Sequence, residues 1–155
     1  MKLNHDCIRD ILLYIEKKLD YEDPSNPTYH KDIFFGILLT DNYFEKYDKL
    51  ELTYALELLI KEKFIDCEKE PYFVKGSLMN ANIIGLTWNG HAFLDDIRND
   101  TTWNAVKEKS KKVGSVSIMA MAGAAGQLAT AMLTDPNALN NFLQGTANVI
   151  SMIPH

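Results

Sequence analysis

Near the start of the chain, apolar residues recur at spacings of three and four: Ile8, Ile11, Leu12, Ile15 and Leu19. This spacing places them on one face of a helix, which Asn4 or Asp6 can cap. Two prolines in residues 23–27 should end the ordered segment, because proline breaks both helix and strand. The pattern therefore predicts an amphipathic first helix followed by a loop.

The middle of the chain predicts short elements in close succession. They are, in order, a strand within 33–39, a helix from Thr40 or Asp41, a helix at 50–63, a hairpin with a loose tip at 65–86, and helices from Thr87 to about 97 and at 102–112. This order is typical of a winged helix-turn-helix. We therefore expect a mainly α (α+β) protein with a winged helix-turn-helix-like N-terminal domain.

The composition changes near residue 112. Residues 1–112 carry all 16 Lys+Arg and 20 of the 21 acids, whereas residues 113–155 carry only Asp135. We predict a domain at 1–112 and an uncharged C-terminal helical hairpin at 113–155. Thr134 or Asp135 can cap the second helix of this hairpin, with Pro136 in its first turn.

An apolar stripe runs along both helices of the predicted hairpin. It consists of Ile118, Met121, Ala125, Leu128, Met132, Leu139, Phe142, Leu143 and Ile150. A stripe this long must be covered, since monomers in water seldom expose large apolar patches. The N-terminal domain, the same segment of another subunit and a membrane are the three candidates. We predict self-association through these residues. Membrane insertion is the less favoured hypothesis, because serines, threonines, Gln127 and glycines interrupt the apolar segment.

The charge of the chain narrows the class of partner, and its cysteine content indicates the cellular compartment. The net charge is −5, and residues 41–63, which would hold the DNA-reading helix, carry six acids against four lysines. Phosphate binding depends on released counterions, so nucleic acid is possible but disfavoured. Two cysteines form no C-x-x-C pair, and charges interrupt the first ten residues, so we expect a cytoplasmic protein.

Catalytic and cofactor motifs find little support in the sequence. His5, Asp6 and Cys7 are consecutive, and on a helix they would point about 100° apart, so they cannot act together. The sequence shows neither the spacing of metal ligands nor a glycine-rich phosphate loop. We expect no enzyme activity, no metal and no cofactor.

Aromatic residues are dense between the short central elements, where tyrosine and tryptophan suit protein interfaces. The partner-binding candidates are Tyr43, Phe44, Tyr47, Trp88 and His91.

Two ordered blocks, residues 1–13 (MKLNHDCIRDILL) and 86–98 (LTWNGHAFLDDIR), followed by Trp103 and Lys107, closely resemble DUF2513. This is an uncharacterised family found largely in phages and prophages. The resemblance covers about residues 1–120 and implies a phage-type protein with a winged-helix-like core, but no activity. The family tends to show Tyr-His and then a glycine after a Leu-rich helix. This chain has Ala55 after Tyr54, and Lys63-Phe64 in place of the glycine.

The function predicted from the sequence is therefore that of a non-enzymatic interaction protein. It would be oligomeric through its C-terminal helices and would bind and modulate a host or phage protein. A winged-helix transcriptional regulator and a membrane-active protein using the C-terminal helix are the alternatives.

Overall fold

A computed structural model describes residues 1–19, 31–114 and 116–152, the last seven by their backbone alone. The chain is mainly helical and of mixed α+β class, as predicted. It divides into two compact units, an N-terminal unit of residues 1–91 and a C-terminal unit of residues 92–155. The change in composition at residue 112 does not coincide with this division, because the charged helix that ends at Val113 belongs to the same unit as the uncharged tail.

The first helix, α1 (His5–Lys18), forms as its spacing predicts. The side chain of Asn4 accepts hydrogen bonds from the backbone N–H groups of Asp6 and Cys7, which caps the helix. The buried face of α1 comprises Cys7, Ile8, Ile11, Leu12, Tyr14 and Ile15. The third helix, α3 (Lys49–Lys61), begins after Asp48, whose side chain accepts from the N–H of Glu51. Helices α1 and α3 pack against each other in the N-terminal unit.

The segment between these helices differs from the sequence prediction. The predicted strand at 33–39 is reduced to β1 (Ile33–Phe34), and α2 (Phe35–Thr40) follows at once. The helix predicted from Thr40 or Asp41 is a single 3-10 turn at Asn42–Phe44, in which the N–H of Tyr43 donates to the side chain of Asp41. Asp41 itself has extended backbone angles, which ends α2. The apolar run was too short for its period to distinguish strand from helix.

The predicted hairpin forms as two separate pairs of strands. β2 (Ile65–Cys67) and β5 (Asn82–Leu86) pair antiparallel, and β1 pairs with the other edge of β5, giving the order β1-β5-β2. The loose tip is itself a hairpin of β3 (Tyr72–Val74) and β4 (Ser77–Asn80). Its turn residues Lys75 and Gly76 both have positive φ, as in a type I′ turn.

The C-terminal unit contains the end of α4 (Trp88–Ile97), then α5 (Asp100–Val113), α6 (Ile118–Met132) and α7 (Ala138–Met152). The predicted helical hairpin is therefore present as α6 and α7. Both helices pack against α5 as well as against each other. Within the described residues, no helix combines the length and the apolar character needed to cross a bilayer.

Candidate functional site

The end of α3 is a tight turn held by two backbone hydrogen bonds. The N–H of Phe64 donates to the carbonyl of Leu59 at 2.9 Å, and the N–H of Lys63 donates to that of Ile60 at 3.1 Å. These are the two bonds of a Schellman motif, which requires a left-handed residue after the helix cap. Lys63 takes that conformation, with φ of 63°. Glycine, which the family resemblance predicted at Lys63-Phe64, would adopt this positive φ without strain.

The start of α4 is docked onto this turn. The hydroxyl of Thr87 donates to the carbonyl of Lys63 at 2.5 Å and accepts from the N–H of Gly90 at 3.1 Å, so one side chain both caps α4 and ties it to the turn. The N–H of Thr87 donates to the carbonyl of Phe64 at 3.1 Å. A Cβ atom on Gly90 would overlap that same carbonyl oxygen, so glycine permits the close approach. Thr87 and Gly90 thus have structural roles.

The next residue, Trp88, has no such role. Its side chain is 86 % exposed, the largest exposed fraction of any aromatic side chain among the described residues. The docked N-terminus of α4 presents this indole to solvent on a rigid base. Asn89 and His91 beside it are also exposed.

A pocket of about 260 Å³ is lined by residues of β2, by the segment that leads to β3 and by Thr87, the residue before α4. Pro71 is the last lining residue before β3. Tyr72, which follows Pro71, is 62 % exposed and is the second most exposed aromatic side chain in the described part of the chain. Trp88 and Tyr72 thus each directly follow, in the sequence, a residue that lines the pocket. We call the pocket with Trp88 and Tyr72 the aromatic-edged pocket.

Charged groups surround this pocket. Its lining includes the carboxylates Asp66, Glu68 and Glu70 and the ammonium groups of Lys63 and Lys69. One oxygen of Glu68 accepts from the side-chain amide of Asn82 at 2.7 Å, which anchors Glu68 to β5.

The cysteine thiols are poor nucleophiles in this environment. The pKa of Cys67, which lines the pocket, is raised to about 11, chiefly by burial and then by the neighbouring carboxylates Asp66 and Glu70, whereas Lys63 lowers it by a smaller amount. Burial likewise raises the pKa of Cys7 to about 12. Both thiols are therefore protonated at neutral pH. Among the described residues, no group of three His, Cys, Asp or Glu side chains is placed to hold a metal ion.

Comparison with known families decides where this chain belongs. The family described as "Hypothetical protein (DUF2513)" matches residues 2–117. The chain is a member of DUF2513. It is 34 % identical over 113 residues to an uncharacterized protein of Haemophilus influenzae, a match that covers 72 % of this chain and 80 % of that relative. No solved structure matches the chain.

The DUF2513 match defines which elements carry the family pattern. It includes residues 2–91 of the N-terminal unit and ends at residue 117, one residue before α6 begins. The resemblance that the two sequence blocks indicated is confirmed. The turn at Lys63, the Thr87–Gly90 dock and the aromatic-edged pocket all lie in the matched region, whereas α6 and α7 lie outside it.

The partner-binding residues predicted for this DUF2513 chain fall in different environments. Trp88 and His91 are exposed on α4, and Tyr43 is partly exposed. Phe44 is 2 % exposed, so its prediction as a contact residue is wrong. Its ring packs 4.8 Å from that of Tyr14, because the capped 3-10 turn points it into the core.

Tyr47 is half-buried and is used within the chain. Its hydroxyl donates to Asp10 at 2.7 Å, and the same carboxylate pairs with Lys46 at 2.7 Å. Burial and this hydrogen bond raise the pKa of Tyr47. The bond ties the segment before α3 to α1, which gives Tyr47 a structural role.

The residues predicted to mediate self-association in this DUF2513 chain are mostly covered by its own helices. Ile118, Met121, Ala125 and Leu128 are buried, and Leu139, Phe142 and Leu143 are half-buried. The ammonium of Lys109 on α5 lies 3.9 Å from the ring centre of Phe142, and Met132 remains partly exposed. The side chain of Ile150 lies outside the described residues. The stripe thus needs no second subunit to cover its buried members, although assembly of several copies stays a prediction.

Sequence reasoning missed the pocket lining and Tyr72. The sequence feature that could have indicated this contact is Gly90, because a glycine within a helical segment can mark a close approach of another backbone. The approach brings the start of α4 to the turn at Lys63.

Proposed function

We propose that this protein is a non-enzymatic interaction module that binds a host or phage protein through the aromatic-edged pocket. The observation that carries the proposal is the exposed indole of Trp88 on a rigid base. A tryptophan buries about 150–250 Å² when it is covered. At about 25 cal/mol per Å², covering this ring would contribute roughly 4–6 kcal/mol before the costs of association.

The local structure supports a role for Trp88 in binding rather than folding. Thr87 and Gly90 supply the cap and the close approach that position α4. The indole adds no comparable contact, since most of its surface is in water. Tryptophan and tyrosine are also the side chains most often found at binding hot spots.

Site-specific cross-linking tests this proposal. A photoreactive phenylalanine analogue is placed at position 88 of the full chain and, as a matched control, at Phe34, which is 52 % exposed on β1 at the opposite edge of the sheet. We expect illumination in host cells to join position 88, but not position 34, to one discrete protein. Identical products at both positions, or none at position 88, would refute the proposal.

A second candidate is a DNA-binding regulator of the winged-helix type. The order α1, β1, α2, α3, β2, β5 with the sheet order β1-β5-β2 favours this fold, in which β3 and β4 would form the wing. The face of α3 toward its C-terminal end is occupied by the hairpin, however. Glu57 accepts from the N–H of Leu78 at 3.1 Å, and Lys61 bonds to Glu57 at 2.6 Å and to the carbonyl of Gly76 at 3.0 Å.

Because Lys61 and Glu57 are bonded to each other and to the hairpin, we favour the interaction module over the DNA-binding regulator. A lysine held by a carboxylate has less to offer a phosphate group, and the surrounding charge is acidic. A mobility-shift series at low and moderate salt tests the regulator. Retention of duplex DNA at moderate salt would favour it over the protein-binding function, and no retention at low salt would eliminate it.

The outer face of α6 is the surface that we propose for self-association. This face carries no charge, and Met119, Gly123 and Gln127 are exposed on it. A side chain at Gly123 meets no atom within 4 Å, so Gly123→Glu tests the face without disturbing the fold. If copies assemble here, light scattering should show an oligomer for the natural chain and a monomer for the variant. A monomer in both cases would end the proposal of self-association.

A further inference from the structure

The strand β2 has one open edge. In the sheet order β1-β5-β2, β2 pairs with β5 on one side, and no strand of the described residues pairs with its other side. At the opposite edge of the sheet, β1 is two residues long and passes directly into α2. A further strand can therefore be added to this sheet at β2, because an edge strand leaves one row of backbone groups unpaired.

Backbone hydrogen bonds show which residues of β2 face β5. The N–H of Thr87 donates to the carbonyl of Phe64 at 3.1 Å, and the N–H of Glu68 donates to the carbonyl of Asn82 at 3.0 Å. Alternate residues of an antiparallel strand bond to the same neighbour, so residues 64, 66 and 68 bond toward β5. The register shift in this pair skips one residue of β5 and none of β2, so the alternation continues along β2.

Ile65 and Cys67 face the open edge. Each directs one N–H and one C=O group away from β5, and no hydrogen bond to these groups is made within the described ranges of the chain. A second extended backbone carries the same donors and acceptors at the same spacing. It could form a pair of hydrogen bonds at each of these two residues.

The position of the pocket is a second, independent observation. Four consecutive residues, 65–68, line it. Successive side chains of a strand point to opposite faces of the sheet, so a cavity that touches all four lies along the edge of β2 rather than over one face. There is thus empty space of about 260 Å³ beside the unpaired backbone groups.

The two faces of β2 define the side chains that an added strand should carry. Ile65 is 4 % exposed and Cys67 is half-buried, whereas Asp66 and Glu68 are exposed. Side chains of directly opposed residues lie on the same face of an antiparallel pair. Apolar side chains opposite Ile65 and Cys67 would therefore extend the core, and the residues between them would face water.

We infer that the open edge of β2 binds an extended segment of the partner protein as an added antiparallel strand whose alternate side chains are apolar. This inference rests on the proposed function and specifies how the partner is bound. The backbone of the partner would pair with Ile65 and Cys67, and its apolar side chains would lie on the buried face of the sheet.

The experiment uses an uncharged peptide of alternating pattern, acetyl-Thr-Val-Thr-Val-Thr-amide, titrated into the full chain and followed by amide NMR. We expect the two valines to lie opposite Ile65 and Cys67, with shifts along β2. Exchange of the Cys67 N–H should slow when the peptide binds, whereas the N–H of Asp66, which faces β5, should change little. A Cys67 N–H that is already protected in the free chain would show that the edge is closed and would overturn the inference.

Two N-methylated peptides separate backbone pairing from side-chain contact. The N–H groups of the valines would face β2, and that of the central threonine would face away. N-methylation of both valines should weaken binding about fivefold or more, while N-methylation of the central threonine should change it by less than about twofold. Equal binding of the two N-methylated peptides, or no binding of the parent peptide, would contradict strand addition.

A substitution in the chain tests the same hydrogen bonds from the other side. Cys67→Pro removes an N–H that points away from β5, which is the position at which an edge strand accepts proline. Its matched control, Cys67→Val, also removes the thiol but keeps the N–H. We expect the peptide to bind Cys67→Pro about threefold or more weakly than Cys67→Val, and equal affinities for the two folded variants would count against the inference. If Cys67→Pro does not fold, the N-methylated peptides decide the question on the natural chain.

The outcomes separate this inference from the proposed function. If position 88 cross-links to a partner protein but the two N-methylated peptides bind alike, the interaction module stands and strand addition is wrong. If the peptides behave as expected but no protein is cross-linked, the open edge of β2 stands as a binding site and the proposed function is wrong.

Discussion

Replacing Lys63 with glycine should stabilise the N-terminal unit. Lys63 is held at φ of 63° by the Schellman motif that ends α3. An L-residue in the left-handed region costs about 1–2 kcal/mol relative to its preferred conformations, because Cβ approaches the backbone. Glycine avoids this cost but loses about 0.5–1 kcal/mol more conformational entropy on folding.

The difference between these two effects sets the expected gain. Lys63→Gly should raise the free energy of unfolding by about 0.5–1 kcal/mol. For a chain of this size the midpoint of thermal unfolding should rise by about 1–4 °C. The hydrogen bonds of the turn are made by backbone groups, so the substitution leaves them in place.

Because the chain forms two compact units, a global unfolding curve can combine two transitions. Urea unfolding followed by circular dichroism should therefore be paired with amide exchange in α3. The N–H of Phe64, which donates to the carbonyl of Leu59 in the turn, should exchange more slowly in the variant.

Two controls distinguish backbone strain from charge. Lys63→Ala removes the ammonium but keeps Cβ, so we expect no comparable gain. Lys69→Gly places glycine at an exposed position without positive φ, and should be neutral or destabilising. If Lys63→Gly is no more stable than Lys63→Ala, or loses stability as Lys69→Gly does, the strain argument is refuted.

Three further predictions concern packing and titration. Gly90→Ala should cost about 2–3 kcal/mol in urea unfolding because the added Cβ overlaps a backbone carbonyl, whereas Gly85→Ala, with open space around its Cβ, should cost less than about 1 kcal/mol. Burial and a neighbouring carboxylate raise the pKa of Asp96, so its charge destabilises the fold as the pH rises through that folded pKa. Asp96→Asn should therefore increase the unfolding midpoint at pH 7 and lose this advantage below the ordinary aspartate pKa of 3.8, and an equal gain at both pH values would contradict the reasoning. Ala125→Glu should unfold the C-terminal unit by burying an unpaired charge, at a cost of about 3 kcal/mol or more, while Gln127→Glu on the exposed face should be tolerated; a folded Ala125→Glu protein in amide exchange would show that the stripe is open.

Local patterns determined much of the secondary structure. The period of three and four at Ile8–Leu19 and the capping side chain of Asn4 were sufficient for α1, because both act within a few residues. The break after Lys112 and the cap near Asp135 likewise placed the ends of α5, α6 and α7 to within a few residues. Lys63, which has positive φ, is one of the two residues at which the family resemblance predicted a glycine.

The sequence did not determine which element covers each apolar residue. Periodicity shows that a helix has an apolar face, but not which element covers it. Thus α5 covers the stripe that predicted self-association, and the 3-10 turn buries Phe44 while it leaves Tyr43 partly exposed. The short apolar run at 33–39 was divided between β1 and α2 because pairing with β5 and the backbone of Asp41 decided its conformation.

By itself, then, the sequence determined the longer helices, several of their caps, the family and the unusual tail. Only the tertiary structure decided that Trp88 is exposed and that Thr87, the residue before it, lines a pocket, because this depends on Thr87 and Gly90 meeting a turn more than twenty positions earlier in the chain. A contact between distant segments leaves little periodic trace, since it is set by how packed elements fit together rather than by the spacing of residues along either one.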